Sequence, residues 1–256
     1  MEVSTRFLFK NFSLTWLSDL NEEKLSPLDL YPKLTPEIAK KTGVENGIEG
    51  SMSCFLLEAE GKKALFDTGL GCLSPDGGNL LNRLKELKIS PDEIDYIFIT
   101  HFHGDHIGGL IDKNDNIVYK NAKVYVTNQE YDGWINKMSK DKNGLQTKIM
   151  KIYEKQLVKI NYGDKLPLDV IAVEAAGHTP GHVCYRKDNL LIIGDLIHAQ
   201  SFQFDYPDLC ANYDMDVDNS IKTRKKIIQF AKDNKLILAG MHLKYSNSSV
   251  YKRYSK

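Results

Sequence analysis

The sequence predicts an α/β fold, and three observations carry that expectation. Short apolar, β-branched runs alternate along the chain with segments whose large aliphatic residues recur at helical spacing. The 256 residues are 42% hydrophobic, enough to bury a sizeable core, and no shift in composition marks a linker. Of the seven histidines, three crowd residues 101–106 and the others, His178, His182, His198 and His242, each fall at or just after an apolar run. That placement is expected of a site assembled where strands end.

Taken in order, residues 7–17 read as one or two strands. Residues 21–50 are rich in Pro, Glu and Lys and read as a long loop, with a short helix near Thr35-Pro36-Glu37 where threonine caps and proline opens the first turn. Such a loop is either a binding loop or a variable surface excursion. Residues 52–59 and 62–67 flank Glu60-Gly61 as a hairpin. Leucines at 80, 81, 84 and 87 share one face of a helix over 78–88. A Ser90-Pro91-Asp92 turn leads into a strand over 94–99, and residues 122–127 alternate as a strand does.

Residues 128–157 read as helical in two pieces, broken at Asp141-Lys142-Asn143-Gly144. Their Tyr131, Trp134, Met138, Met150 and Tyr153 belong either to an ordinary amphipathic pair or to a lid that shapes a pocket. Residues 168–176 read as a strand, 183–187 and 190–194 as a hairpin, and 216–234 as a helix starting near Asp216 or Asp218. A strand over 236–239 closes the core, and the polar tail from Tyr245 is peripheral.

Charge and cysteine usage exclude several classes. Lys+Arg and Asp+Glu number 34 each, so the chain has no electrostatic footprint for nucleic acid. Lys62-Lys63 and Arg224-Lys225-Lys226 read as solvated faces. The four cysteines, at 54, 72, 184 and 210, form no Cys-x-x-Cys pair and read as reduced structural thiols of a cytoplasmic protein. No apolar run approaches the length of a membrane span, and Phe7-Leu8-Phe9 is too short for a signal-peptide core. The expected partner is a small molecule, with no nucleic acid and no membrane.

The chemistry concentrates in His101-Phe102-His103-Gly104-Asp105-His106, which follows the apolar run Tyr96-Ile97-Phe98-Ile99-Thr100. Imidazole nitrogen with carboxylate oxygen suits zinc, iron, manganese or cobalt. Four such groups in six residues are too many for one tight site and right for half of each of two adjacent sites. Glycine at 104 is expected to let the backbone turn closely.

This stretch resembles the His-x-His-x-Asp-His signature of the metallo-β-lactamase superfamily. Other segments follow in that family's order: Asp67-Thr68-Gly69, then Gly177-His178-Thr179-Pro180-Gly181-His182, Gly194-Asp195 and Gly240-Met241-His242. The resemblance covers about residues 7–243. It implies a single domain over 1–256 with an αβ/βα sandwich, two mixed β-sheets flanked by helices. It also implies two divalent metal ions, zinc first and iron, manganese or cobalt as alternatives. His101, His103 and His178 would hold one metal; Asp105, His106 and His242 would hold the other; Asp195 would bridge them. Asp67 either braces this loop or is a plain turn aspartate, and His182 supports the site from behind.

The implied reaction is hydrolysis of a small ester or lactone by a metal-bridging hydroxide, with Asp105 moving a proton to the leaving group. The segment from Gly194 to Phe204, and Asp214-Met215-Asp216 with the basic helix after it, resemble the methyl parathion hydrolase and lactonase branch, whose members are often homodimers. His198 stands where homoserine lactonases of the family place a tyrosine. It either polarises a carbonyl or protonates a leaving alkoxide, or it packs at the rim. Phe202, Phe204 and Tyr206 either line an apolar pocket or belong to the core. The alternatives are organophosphate cleavage, a thioesterase resembling glyoxalase II, redox chemistry at iron, and a metal- or ligand-binding module without turnover.

Overall fold

Several strands of this chain are apolar at every position, which requires a packed layer on each of their faces. The computed structural model, which describes residues 3–20, 25–75, 78–138 and 144–243, supplies those layers. The elements run β1 (Ser4–Leu8), β2 (Ser13–Ser18), β3 (Leu25–Ser26), α1 (Pro36–Thr42), β4 (Ile48–Glu49), β5 (Ser53–Ala59), β6 (Lys62–Phe66) and α2 (Leu80–Glu86). Then come β7 (Tyr96–Phe98), α3 (Gly104–Ile107), β8 (Lys123–Thr127), α4 (Asn128–Tyr131), α5 (Leu145–Ile152) and β9 (Leu157–Ile160). The last are β10 (Ile171–Glu174), β11 (Val183–Lys187), β12 (Leu190–Gly194), α6 (Val217–Asp233) and β13 (Ile237–Gly240).

One mixed sheet has the order β1-β2-β5-β6-β7-β8-β9, and a second has β10-β11-β12-β13. Alternation along the strands builds the layers. In β5, Phe55 and Leu57 face the core between the sheets, where they meet Val183, Tyr185 and Ile192. Cys54 and Leu56 face the other way, toward Leu80 and Leu84 of α2 and Ile149 of α5. In β12, Leu190 and Ile192 point inward, while Leu191 and Ile193 pack on Ile227, Ile228 and Ala231 of α6. Helices therefore cover the outer face of each sheet, the αβ/βα sandwich that the resemblance implies. A smaller apolar cluster seats Tyr31, Ala39, Val44 and Ile48 on Phe202, Leu209 and Ala211.

Local chemistry explains the helix starts. Thr35 Oγ1 accepts from Ile38 N at 3.2 Å, Pro36 fills the first turn, and Gly43 ends α1 at φ +71°. The Asp216 side chain accepts from Asn219 N at 3.0 Å to open α6.

Several expectations need correction. Residues 128–157 are not helical throughout. A π-helix spans Asp132–Met138, α5 stops at Ile152, and 157–160 form the edge strand β9, parallel to β8. Gln156 Nε2 donates to the carbonyls of Tyr119 and Ala122, at 2.9 and 2.8 Å, and draws the chain onto β8. The strand expected from 168 begins at Ile171. Before it, Leu168 and Asp169 hold left-handed backbone at φ +60° and +56°, with buried Lys187 Nζ donating to Leu168 O. On α2, Leu80 and Leu84 are buried while Leu81 and Leu87 are exposed, so its apolar face is narrower than expected. Residues 141–143 of the expected helix break, and the tail from Tyr245, lie outside the described residues.

Asp19, 1% exposed after β2, accepts backbone N–H groups of Leu70, Gly78 and Leu80 at 2.8, 3.1 and 3.0 Å. These bonds tie Leu70, Gly78 and Leu80 to the end of β2. Asp19→Ala is expected to destabilise the protein by about 3 kcal/mol, because three donors lose a charged acceptor. Urea unfolding measures this, and a midpoint equal to wild type would refute it.

Candidate metal centre

Each predicted ligand leaves the C-terminal end of a strand at one edge of the sandwich. His101 and His103 follow β7, and α3 presents Asp105 and His106 one turn later. His178 follows β10, Asp195 follows β12, and His242 follows β13. Gly194, at φ +51°, swings the chain round before Asp195, and a Cβ there would lie 2.4 Å from His182 Nε2. Gly104 does not make the close backbone turn expected of it. It begins α3, and a Cβ there would sit 3.3 Å from Leu73 Cδ1, so what it supplies is room for packing.

The structure brings all seven residues together in two groups that share Asp195. His101, His103, His178 and Asp195 form one, and Asp105, His106, Asp195 and His242 form the other; within each, the donor atoms lie within 4.8 Å of one another. In the first group, His103 Nδ1 is 2.9 Å from both His101 Nε2 and His178 Nε2. Two of these rings have their protons committed elsewhere. His178 Nδ1 donates to Asp214 Oδ1 at 2.9 Å. Thr100 Oγ1 donates to Asp67 Oδ2 at 2.7 Å, which leaves it to accept from His101 Nδ1 at 3.0 Å. Nitrogen lone pairs thus converge on one small volume, an arrangement a cation satisfies.

The second group fits a cation equally. His106 Nε2 and Asp195 Oδ1 are buried without a hydrogen-bond partner, 3.2 Å apart. His242 Nε2 is 3.1 Å from Asp195 Oδ2, and Asp105 Oδ2 is 3.5 Å from both His106 Nε2 and His242 Nε2. The outward nitrogens are fixed: His106 Nδ1 donates to Asp67 Oδ2 at 2.7 Å, and His242 Nδ1 to Ser51 O at 2.7 Å. Bonds of this kind select the tautomer that leaves the other nitrogen free for metal.

Asp67 therefore braces the loop and is no plain turn residue. Its backbone is left-handed, at φ +60°, and its Oδ1 accepts from Thr100 N at 2.7 Å. His182 backs the site as expected: its Nδ1 donates to Ala175 O at 3.0 Å and its Nε2 accepts from Asp195 N at 3.1 Å.

Ligation requires neutral imidazoles and ionised carboxylates. In the first group His101 and His103 are already neutral. In the second, burial is outweighed by Asp195 and Asp105, which raise His106 well above the ordinary imidazole range and His242 to about 9, so a cation there would take the place of protons. Burial pushes His101 well below the ordinary imidazole range and lowers His103 to about 4. Burial opposes charge on Asp195, but His106, His242, His101 and His198 outweigh it and hold its pKa well below the usual value. Burial likewise opposes charge on Asp105, and the same kind of pairing, with His106 and His242, keeps it ionised.

His198 is buried, not at the rim, with Nε2 3.2 Å from Asp195 Oδ2 and Nδ1 without a partner. Burial lowers its pKa to about 4, so it is neutral at pH 7. Its single N–H is committed to Asp195, which suits holding that carboxylate better than protonating a leaving group. A third cluster, His178, His198 and Asp214, also has close donor atoms. It is a hydrogen-bonded relay instead: Asp214 accepts from His178 Nδ1 and, at 3.1 Å, from Arg224 Nη2.

Arg224 was expected on a solvated face, and it is 1% exposed. It donates to Leu196 O and Pro207 O at 2.8 Å as well as to Asp214. Its position four residues after Ser220 and three before Ile227 places it on the buried face of α6, a signal present in the helical spacing.

The two groups lie in the floor of a cavity of about 610 Å³. Its walls include Leu30, Ile48, Met52, Leu70, Tyr31 and Tyr213, so the 25–52 stretch forms one side of the cavity. Of the two readings of the 202–206 aromatics, the core reading holds: Phe202 is fully buried against Tyr31 at 4.9 Å, Phe204 packs on the α6 side, and Tyr206 joins the small cluster around α1. The aromatics of 128–153 pack on the core beneath β8, and the Trp134 ring also meets His103 edge-on at 5.6 Å.

A family model described as the metallo-beta-lactamase superfamily matches residues 47–242. Among solved structures, hydrolase AbOPH of the beta lactamase superfamily superposes with a TM-score of 0.84 at 27% identity, covering 96% of this chain and 91% of that one. AidC, a dizinc quorum-quenching lactonase, gives a TM-score of 0.84 at 27% identity, covering 96% and 92%. The beta-lactamase-like protein 2 homolog of Caenorhabditis elegans is 27% identical over 180 residues, 68% of this chain and 54% of that protein. The chain thus spans about half the length of that relative.

Proposed function

Because this chain belongs to the metallo-β-lactamase superfamily, we propose that it is a dinuclear metal-dependent hydrolase of small, uncharged esters or lactones, folded as one domain. One observation carries the reading: two converging donor groups open onto a largely apolar cavity with no lysine or arginine among its described lining residues. The walls away from the metals offer no cation, so a substrate that carries charge there, as a nucleic-acid backbone or a glutathione arm does, would leave it unpaired. That favours a lactone, an ester or a neutral phosphotriester over nucleic acid and over a glutathione thioester. The similarity to a dizinc lactonase supports the same choice and supports zinc as the metal. The four free cysteines support a cytoplasmic setting. Among the described residues no helix is long and apolar enough to cross a membrane.

His101, His103 and His178 would hold one metal, Asp105, His106 and His242 the other, with Asp195 between them. When bound, two such cations lower the pKa of a shared water and polarise the substrate's carbonyl oxygen. The chain's own residues do the rest. Asp105 lines the cavity as a carboxylate and takes up and returns the proton that passes to the leaving group. His198 holds Asp195 from the cavity side. Leu30, Ile48, Met52 and Leu70 exclude water from the apolar part of the substrate.

The test is elemental analysis of freshly purified protein with a hydrolysis panel of lactones, aryl esters, a phosphotriester, a glutathione thioester and single-stranded RNA. About two metals per chain with lactone or ester turnover is the expected result; turnover confined to the thioester or the RNA overturns it. His198→Gln keeps a comparable side-chain volume without the ring and is expected to lower kcat about 10–100-fold with both metals retained, as the loss of supporting partners of ligands generally does. An unchanged kcat would mean that His198 only packs.

A further inference from the structure

The two ligand groups differ in what holds them. The second is braced by acceptors of the larger sheet and the segment before it, Asp67 for His106 and the Ser51 carbonyl for His242. The first takes His101 and His103 from a loop of one sheet and His178 from a loop of the other, so something must fix the separation of those loops. Glu130, 1% exposed on α4, touches both. Its Oε1 accepts from Phe102 N at 2.7 Å, and Phe102 lies between the two ligand histidines. Its Oε2 accepts from Thr179 Oγ1 at 2.8 Å and Gly181 N at 2.7 Å, just beyond His178.

Neighbouring contacts complete a grip. Thr127 Oγ1 caps α4 by accepting from Glu130 N at 3.1 Å and donates to Gly181 O at 2.7 Å. Gln146 Nε2 of α5 donates to Phe102 O at 3.0 Å, so both polar groups of Phe102 are held by side chains. The approach requires glycine at 181, since a Cβ there would lie 1.9 Å from Glu130 N. A buried carboxylate is a costly way to fill space, and burial raises its pKa despite three donors. Its return is directional geometry across the two sheets.

We infer that Glu130 is a positioning residue that sets the separation of the His101–His103 loop from the His178 loop, and with it the affinity of the first metal site and not of the second. The inference rests on the two-metal reading above. It is tested by zinc titration of metal-free protein against a chromophoric chelator, with thermal melting of the metal-free protein alongside. Wild type is expected to bind zinc in two steps. Glu130→Gln keeps the shape but turns an amide NH₂ toward donors that need an acceptor. It is expected to weaken one step about 10–100-fold and leave the other within about threefold. Asp67→Asn, by contrast, removes a partner of His106 and, through Thr100, of His101, and is expected to weaken both steps.

Two unchanged steps in E130Q overturn the inference alone. So does equal weakening of both steps with a lower melting temperature of the metal-free protein, the mark of a merely structural role. A single step in wild type overturns the two-metal reading and the inference with it. Should E130Q fail to fold, Gln146→Ala frees only the Phe102 carbonyl and is expected to weaken the same step by a smaller factor; no change in that step overturns the inference.

Discussion

Asp195→Asn is expected to reduce bound metal below two per chain and hydrolysis by more than about a hundredfold. A residue that merely supports one ligand is worth about 10–100-fold, and Asp195 belongs to both ligand groups. Its Oδ2 lies 3.4 Å from His178 Nε2 and 3.1 Å from His242 Nε2, and its Oδ1 lies 3.2 Å from His106 Nε2. Asparagine removes the charge and turns an NH₂ toward one side of that cluster, where lone pairs converge. Elemental analysis and turnover on the best panel substrate measure the effect. The metal-free variant should melt close to wild type, because the main-chain bond from Asp195 N to His182 remains. Two metals per chain with undiminished turnover would sink both the bridging role and the mechanism built on it.

The largest stability effect is expected at Arg224. Arg224→Met should cost about 3–5 kcal/mol in the metal-free protein, the range for removing one partner of a buried ion pair. The guanidinium is 1% exposed and its partner carboxylate fully buried, so the loss leaves Asp214 charged and half unpaired. Asp214→Asn in the same chain removes that charge and still offers an oxygen to His178. The double variant should therefore recover part of the loss, a coupling that a double-mutant cycle reads directly. Burial works to raise the Asp214 pKa, but His178, His198 and Arg224 hold it below 3.8. A depressed carboxylate contributes stability above its unfolded pKa and loses it as pH falls. R224M should accordingly move the acid-unfolding midpoint to higher pH. A cost under about 1 kcal/mol, or strict additivity, would show that the pair is not coupled.

Much of the centre was legible because its signals are local. His101 to His106 sit in one hexapeptide, and the ligands at 178, 195 and 242 each follow an apolar run, so strand ends could be read without the fold. The brace at Asp67 was half legible: the turn could be seen, but whether its carboxylate meets a histidine depends on β6 and β7 lying side by side. Glu130 carries no signal at all, since its partners at 102, 179 and 181 come from loops that only the two-sheet stacking brings together. Arg224 was misread because a basic tripeptide suggests solvent, although helical spacing aligns it with Ile227 and Ala231. The edge strand over 157–160 was lost to the helix before it, because four residues are too few to show a period and the deciding bonds come from the Gln156 side chain. Phe202 and its neighbours could be read as pocket wall or as core, and the fold makes them core; the wall comes from the 25–52 stretch, whose place over the site is set by tertiary packing on residues 199–211.

The His242 ring is oriented by the main-chain oxygen of Ser51, and the Ser51 hydroxyl holds the chain beside it by donating to Leu243 O. The cavity-lining side chains of Ile48 and Met52 stand on the same short stretch and take no part in that grip. Evolution can therefore exchange these two wall residues while Ser51 keeps its hold on the histidine. Selection for a new leaving group or a longer acyl tail would act on 48 and 52 first, and the catalytic centre would pass unaltered from one specificity to the next.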